Sequence, residues 1–159
     1  SKLQSGTVAL EKSEFDLGAL TRTVIERFGV MAERDGYVFR TEIADGVTVT
    51  ADSRRIEQVL YNLIGNAVNY TGEDKTVTVR VLTDKNGKAL FAVTDTGKGI
   101  PEDEIPLVWD KYYRANMTKR SVVGSGLGLS IVKNILQQHG AEFGIYSEVG
   151  KGSTFWFRL

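Results

Sequence analysis

Residues 124–133 read Gly-Ser-Gly-Leu-Gly-Leu-Ser-Ile-Val-Lys, so a run of alternating glycines leads directly into an apolar helical pattern. Glycine has no Cβ, and its backbone can therefore approach a ligand closely. The helix N-terminus that follows presents unpaired N–H groups and a partial positive charge, which together favour phosphate. A plain loop before a helix explains the stretch equally well. It matches neither the Walker pattern nor Gly-x-Gly-x-x-Gly, since position 129 is Leu.

The composition describes one soluble domain with a real core. The chain has 159 residues, and its 20 Lys and Arg balance its 20 Asp and Glu. A general affinity for nucleic acid or for anionic membranes is therefore not indicated. The absence of cysteine excludes disulfides and thiolate chemistry. No apolar run reaches the roughly 18 residues of a membrane span, and no signal peptide is visible.

Hydrophobic periodicity predicts an α+β fold, a two-layer sandwich with helices on one face of a largely antiparallel sheet. The mixture of helices with strands that are joined by short turns carries this prediction. The predicted helices cover residues 17–34, 53–70, a short segment after Pro101, and 127–139; the predicted strands cover 38–43, 47–50, 77–81, 90–94, 143–146 and 154–159.

Local signals set the ends of these elements. Asp16 and Asp52 precede the first two long helices and are placed to cap them. The turn at 45–46 is expected to join two strands as a hairpin. The apolar run 90–94 suggests a strand buried on both faces. His139 is the only histidine, and it is expected to cap a helix C-terminus rather than to act in catalysis.

The helix over 53–70 carries an unusual polar face. Asn62 and Asn66 are four residues apart and stack on one side, with Asn69 and Tyr70 one turn further on. These side chains are expected to border the apolar stripe. Asparagine is a mediocre helix former, but its carboxamide can ligate Mg²⁺ without adding charge. A solvated helix face is the alternative.

Asp95 begins the sequence Asp-Thr-Gly-Lys-Gly-Ile directly after an apolar strand. A carboxylate at the end of a strand can accept a hydrogen bond from a ligand amine, and Gly97 and Gly99 allow a ring to approach. An ordinary Asp-Gly turn is one alternative. A dimeric aspartic protease is another, because Asp-Thr-Gly follows apolar residues, but the long helices argue against that fold.

Residues 109–114 read Trp-Asp-Lys-Tyr-Tyr-Arg and combine an aromatic patch with two cations. Aromatic rings in the core with the cations on the surface is one interpretation, and it is the one that we favour for Tyr112. Arg114 opens a basic segment without periodicity, from which it can reach a phosphoryl group.

These stretches, taken in order, resemble the conserved boxes of sensor histidine kinases over nearly the whole chain. The combination is specific, whereas each box alone is weak. The resemblance is carried by an N box at 62–71, a G1 box at 95–99, an F box at 109–114, a G2 box at 124–129 and a closing glycine motif at 150–155. It implies the Bergerat α/β sandwich, shared with gyrase and Hsp90 ATPases.

The resemblance implies a role for each matching residue. Asn66 matches the Mg²⁺ ligand, Asn62 the asparagine near the phosphates, Tyr70 the ring on adenine, and Asp95 the acceptor of the adenine amino group. Arg114 matches the arginine near the γ-phosphate. Further pocket residues implied by the boxes are Asn69, Gly97, Gly99, Ile100, Tyr113, Gly124, Ser125, Gly126, Leu127, Gly128, Leu129 and Thr154. The glycines of the G2 box match the hinge of a mobile lid over about 115–123.

Two substitutions depart from the family pattern. The family usually has Lys where this chain has Asn69, so one phosphate-facing charge is missing, for which Lys111 or Lys119 is expected to compensate. Trp109 replaces the usual Phe. The phospho-accepting histidine of the family is also absent. Residues 1–6 resemble the end of its helical hairpin, which leaves 7–159 as the catalytic ATP-binding domain.

The function implied by the resemblance is ATP-dependent phosphorylation of a histidine. With Mg²⁺ and ATP bound, the γ-phosphoryl group would pass to a histidine on the dimerisation hairpin and then to a response regulator. The fragment is expected to be monomeric, and the parent a homodimeric membrane sensor with this domain in the cytoplasm. A nucleotide-binding module without kinase activity is the alternative from a different class.

Overall fold

A computed structural model of the chain describes residues 9–111, 113 and 128–159. Its elements follow the order β1 (Ser13–Asp16), α1 (Leu17–Glu26), α2 (Gly29–Asp35), β2 (Val38–Ile43), β3 (Thr48–Ala51), α3 (Ser53–Tyr70), β4 (Thr76–Thr83), β5 (Ala89–Asp95), a 3₁₀ helix (Glu102–Leu107), α4 (Gly128–Gln138), β6 (Glu142–Glu148) and β7 (Gly152–Arg158). The predicted α/β sandwich is confirmed.

Five strands form a mixed sheet in the order β2-β4-β5-β7-β6. Only the β2–β4 pair is parallel; the other three pairs are antiparallel. Helices α1, α3 and α4 pack against this sheet. Alternate residues of the central strands are buried, among them Val79, Phe91 and Phe157. The sheet therefore has one covered face, and the prediction that β5 is buried on both faces is wrong: Leu90, Ala92 and Thr94 are partly exposed.

The predicted hairpin at 45–46 is also wrong. Both strands form, but β2 pairs with β4, while β3 pairs with β1 in a separate two-stranded sheet. The turn signal at Asp45-Gly46 is real, because Gly46 has a φ of 71°. A turn redirects the chain, however, and does not by itself choose the partner of either strand.

The first predicted helix is two helices, because the chain breaks at Arg27 and Phe28. The Phe28 N–H donates to Ile25 O three residues back, which tightens the turn. The Phe28 ring is buried, and it lies 5.2 Å from the Tyr61 ring and 6.0 Å from the Phe39 ring. Tertiary packing of this ring, followed by the weak helix former Gly29, explains the interruption.

The two predicted aspartate caps are confirmed. Asp16 accepts from the Ala19 N–H at 3.0 Å, and Asp52 accepts from the Arg55 N–H at 3.3 Å. Helix α3, which Asp52 caps, lies at the centre of the core, with Ile56, Leu60 and Ile64 fully buried. The ends of this helix therefore have fixed positions relative to the sheet.

His139 caps α4 as predicted and also joins α4 to α3. Its Nε2 accepts from the Asp52 backbone N–H at 3.1 Å, so the ring proton is on Nδ1, which donates to Ile135 O at 2.9 Å. This ring connects the C-terminal end of α4 to the N-terminal end of α3.

We expect His139→Phe to lower the free energy of unfolding by about 1–2 kcal/mol, because the partly buried Asp52 N–H loses its acceptor while the ring volume is retained. Urea denaturation measures this loss. Gln137→Ala is the matched control, since Gln137 is exposed on the same helix. Equal urea midpoints for the two variants would contradict the bridging role.

Candidate functional site: a buried carboxylate beside a polar helix face

Asp95 is the last residue of β5, and its side chain is buried, with 3% of its surface exposed. The backbone N–H groups of Gly97 and Ser153 donate to its carboxylate, the first at 2.8 Å. Burial nevertheless raises the pKa of Asp95 to about 6, because the removal of water outweighs these two hydrogen bonds. When it is ionised, this buried carboxylate is a strong acceptor for a ligand N–H group.

The loop over 95–100 is held closely against its surroundings. A Cβ on Gly97 would lie 2.0 Å from the Tyr70 carbonyl oxygen, so the loop contacts the end of α3 directly. Gly99 has a φ of 77° and a Cβ there would lie 2.3 Å from the Glu148 carbonyl oxygen. The Ile100 N–H donates to the Ser147 hydroxyl at 2.7 Å. The position of Asp95 is thus fixed from α3 and from the β6–β7 turn.

The polar face of α3 meets the start of α4. The Asn62 carboxamide donates to the Gly128 carbonyl at 3.4 Å, and Asn66 lies one turn further along α3. Both asparagines are partly buried, and so is Tyr70 at the end of the helix. The first residue of α4 therefore lies beside Asn62, the asparagine that is predicted to approach the phosphates.

Asn69 differs from this group. Only 4% of its surface is exposed, so Asn69 is more deeply buried than Asn62 and Asn66. Position 69 is seven residues after Asn62, which places it about 20° from Asn62 around the helix and on the side away from the apolar stripe, so contacts outside that stripe bury it. The side chain that replaces the usual lysine is thus both neutral and buried.

Tyr113 points toward the same region as Tyr70. Its hydroxyl donates to the Glu104 carboxylate at 3.0 Å, from the 3₁₀ helix. Burial, the Glu104 hydrogen bond and charge, and the Tyr70 phenol raise the pKa of Tyr113 to about 12. Tyr113 therefore keeps its proton and has a fixed hydroxyl direction.

Thr154 lies on the wrong face of the sheet for the role expected of it. Its hydroxyl is 2.8 Å from the Thr94 hydroxyl, on the face away from the helices. The residue opposite Asp95 on β7 is Ser153, which is buried on the helix side. The prediction of Thr154 as a pocket residue is corrected to Ser153, because alternate residues of a strand face opposite sides.

The structure describes only some of the remaining predicted site residues. Lys111 is exposed, whereas Ile100 and Leu129 are partly buried. The predicted lid over about 115–123 lies outside the described residues. So do the predicted residues Tyr112, Arg114, Lys119, Gly124, Ser125, Gly126 and Leu127.

Four residues that line or support this site were missed by sequence reasoning: Thr71, Glu104, Ser147 and Ser153. Strand alternation with the correct register would have identified Ser153. Thr71 and Ser147 contact residues 25 and 47 positions away, and Glu104 contacts Tyr113 nine positions away; the sequence offers no periodic signal for these contacts.

The potential metal ligands on this face of α3 are amide oxygens. Within residues 9–111, 113 and 128–159, no group of three or more His, Cys, Asp or Glu could hold a metal ion. Asn62 and Asn66 are neutral oxygen donors, which suits a cation whose coordination is completed by a substrate. In the same part of the chain, no helix has both the length and the apolar character needed to cross a membrane.

Comparison with known proteins shows to which family the chain belongs. Residues 51–159 match the model of the histidine kinase-, DNA gyrase B-, and HSP90-like ATPases. The sensor histidine kinase YkoH of Bacillus subtilis is 35% identical over 96% of this chain and 35% of its own length. The chain spans between 20% and 42% of the length of such curated relatives, all of them kinases or sensor proteins.

Solved structures agree. The catalytic domain of the histidine kinase ThkA superposes with a TM-score of 0.81 and 30% identity, covering 94% of this chain and 95% of that one. Full-length ShkA in complex with AMPPNP gives a TM-score of 0.84 and 29% identity, covering 99% of this chain and 33% of that one. The chain therefore belongs to the histidine kinase-, DNA gyrase B- and HSP90-like ATPases, as an ATP-binding catalytic domain of the sensor histidine kinase type.

Proposed function

We propose that this domain binds Mg·ATP between α3, the Asp95 loop and the start of α4, and donates the γ-phosphoryl group to a histidine of the parent kinase. A response regulator is the proposed next acceptor. The observation that carries the proposal is the buried Asp95 carboxylate at the end of β5, held by two backbone N–H groups. A related kinase has been crystallised with AMPPNP, which supports a nucleotide as the ligand.

Asp95 is suited to adenine recognition. A buried carboxylate at the end of a strand accepts an amine hydrogen bond that is worth more there than in water. Gly97 and Gly99 bring backbone rather than side chain to the pocket wall, and Tyr70 lies at the end of α3 where a ring can pack on a base. These residues would select adenine and fix its orientation.

The polar end of the site is suited to phosphates and a cation. Asn62 and Asn66 present carboxamides on one face of α3, and Asn62 contacts the first residue of α4. We assign Asn66 as the Mg²⁺ ligand and Asn62 as a phosphate contact. Bound Mg²⁺ would neutralise charge on the phosphates. From the family resemblance, Arg114, Lys111 and the glycines at 124, 126 and 128 would contact the phosphates.

The proposed reaction needs positioning and charge neutralisation rather than covalent help from the protein. A histidine nitrogen attacks the γ-phosphorus, the bond to the bridging oxygen breaks, and ADP leaves. Related ATPases carry Glu at the position of Asn62, where it activates water. Because Asn cannot take up a proton at neutral pH, this domain should transfer phosphate to histidine and hydrolyse ATP poorly.

Calorimetric titration with ADP, with and without Mg²⁺, tests the binding step. We expect affinity to require Mg²⁺. Addition of a histidine-bearing hairpin from a related kinase, with radiolabelled ATP, should then give acid-labile phospho-histidine, with little free phosphate in its absence. Absence of nucleotide binding would contradict the proposal, and so would rapid hydrolysis without the hairpin.

A nucleotide-binding module without kinase activity is the second candidate. The buried, neutral Asn69 favours it, since the family usually has a lysine facing the phosphates there. Mg²⁺-dependent binding without phospho-histidine would support this candidate. Recovery of transfer in Asn69→Lys would identify the missing charge as its cause.

A further inference from the structure

Thr71 is a buried hydroxyl between the end of α3 and the loop that carries Asp95. Only 4% of its surface is exposed. The Thr96 backbone N–H, which belongs to the peptide that directly follows Asp95, donates to Thr71 Oγ1 at 3.2 Å. Thr71 Oγ1 in turn donates to Thr76 O at 2.5 Å, at the start of β4. One hydroxyl thus ties together α3, β4 and the Asp95 loop.

The donors and acceptors around Thr71 follow from the shortest contacts. Thr96 Oγ1 donates to the Asp74 carboxylate at 2.5 Å and accepts from the Gly72 N–H at 3.2 Å. Each hydroxyl has a single hydrogen, and both hydrogens are used in this way. The 3.1 Å approach of the Thr71 and Thr96 hydroxyls is therefore a contact between two acceptor oxygens. The Thr71 hydrogen therefore points to Thr76 O, and a lone pair of Thr71 Oγ1 faces the Thr96 N–H.

The loop is held at its two ends by different hydroxyls. Ser147 accepts from the Ile100 N–H at the far end, and Thr71 accepts from the Thr96 N–H next to Asp95. Between them, the Gly97 N–H donates to the Asp95 carboxylate. The Thr71 hydroxyl therefore holds the 95–96 peptide, which lies between the Asp95 side chain and the Gly97 N–H that donates to it.

We propose that Thr71 is a positioning residue for Asp95, and that it determines how strongly the site prefers an adenine base to one without the 6-amino group. This inference rests on the proposed function, because it assigns Asp95 to the base. Thr71 does not contact the nucleotide in this proposal. Its effect on selectivity passes through the Thr96 peptide.

The test compares ADP with inosine diphosphate (IDP), which lacks the 6-amino group, by calorimetric titration in the presence of Mg²⁺. In the wild type we expect ADP to bind roughly tenfold or more tightly than IDP. Thr71→Val removes the hydroxyl and keeps the shape; it should reduce this ratio about three- to tenfold, mainly through weaker ADP binding. Thr71→Ser, which keeps the hydroxyl, should have the wild-type ratio of ADP affinity to IDP affinity.

Thr94→Val is the matched control. Thr94 directly precedes Asp95, but its hydroxyl pairs with Thr154 on the other face of the sheet. Its loss should leave the ADP-to-IDP ratio unchanged, even where stability falls. In an Asp95→Asn background, Thr71→Val should cause no further change in the ratio, since the group that it positions is already altered.

The outcomes separate the two claims. Failure of the wild type to bind either nucleotide would reject the proposed function. If the wild type binds nucleotide but Thr71→Val and Thr94→Val have the same ratio of ADP to IDP affinity, only the proposed role of Thr71 is rejected. Should Thr71→Val not fold, Thr71→Cys retains a weaker hydrogen-bonding group; its ratio should fall between those expected for Ser and Val, and a wild-type ratio would overturn the inference.

Discussion

Asp95→Asn is expected to weaken ADP binding at least tenfold while making the domain more stable. Loss of a charge-assisted hydrogen bond to the base costs roughly 1.5–3 kcal/mol of binding free energy. Stability moves the other way, because burial raises the pKa of Asp95 from 3.8 to about 6, so the ionised carboxylate costs up to about 3 kcal/mol at neutral pH. Asn removes that cost but loses part of the hydrogen bonding to Gly97 and Ser153. We expect a net gain of about 1–2 kcal/mol, visible as a melting temperature a few degrees higher.

Stability and ADP affinity should change in opposite directions with pH. The folded protein holds the Asp95 proton more tightly than the unfolded chain, so this group's contribution to stability is fully present below about pH 4 and is lost as pH rises to about 6. Binding of an amine needs the ionised carboxylate, so ADP affinity should fall as pH drops below about 6. Asp95→Asn should remove both dependences.

Asp84→Asn is the control, and we expect it to lower stability, whereas Asp95→Asn should raise it. Asp84 accepts from the Asn86 and Lys88 backbone N–H groups in an exposed turn, which lowers its pKa. The same substitution should therefore reduce stability there and leave ADP binding unchanged. If Asp95→Asn bound ADP as tightly as the wild type does, Asp95 would not be the adenine acceptor.

Local signals in the sequence were sufficient for α3 and α4 and for the two aspartate caps. Asp16 and Asp52 act on N–H groups three residues away, so the evidence for them lies within one turn of chain. Strand pairing was different. The partner of β2 is β4, more than thirty residues further on, and a good turn at 45–46 gave no information about that choice. The break at Phe28 likewise depends on Tyr61 and Phe39, which are remote in the sequence.

The candidate site shows the same difference between local signals, which the sequence contains, and contacts between remote residues, which it does not reveal. Asp95 and Asn62 were predicted because each lies in a short recognisable segment, and the structure brings α3, the Asp95 loop and the start of α4 together. Ser153 was missed in favour of Thr154, since a one-residue choice of strand face depends on the register between β5 and β7. Thr71 holds the Thr96 backbone N–H and Glu104 holds the Tyr113 hydroxyl, and only the folded geometry identifies these two residues.

Gly97→Ala is expected to lower stability by about 3 kcal/mol and to reduce ADP affinity more than tenfold. The new Cβ would lie 2.0 Å from the Tyr70 carbonyl oxygen and 3.0 Å from the Asp95 carboxylate. Backbone at the end of α3 cannot move aside as a flexible side chain does, so the loop itself must shift, at the upper end of the usual cost of overpacking. A loop that shifts also moves Asp95, which explains why binding and stability should fall together. Thermal unfolding should show a decrease on the order of 10 °C, and calorimetry with ADP measures the affinity.

Gly29→Ala separates this steric effect from the general cost of replacing glycine. Among the residues that the structure describes, none has an atom within 4 Å of a Cβ at Gly29, the first residue of α2, where alanine favours the helix. This variant should be as stable as the wild type or more so by up to about 1 kcal/mol, with unchanged ADP binding. The contrast also bears on the loop's rigidity. A Gly97→Ala protein that bound ADP normally would mean that the Asp95 loop can move away from α3 without loss, and that its contacts with Tyr70, Thr71 and Ser147 do not position the carboxylate.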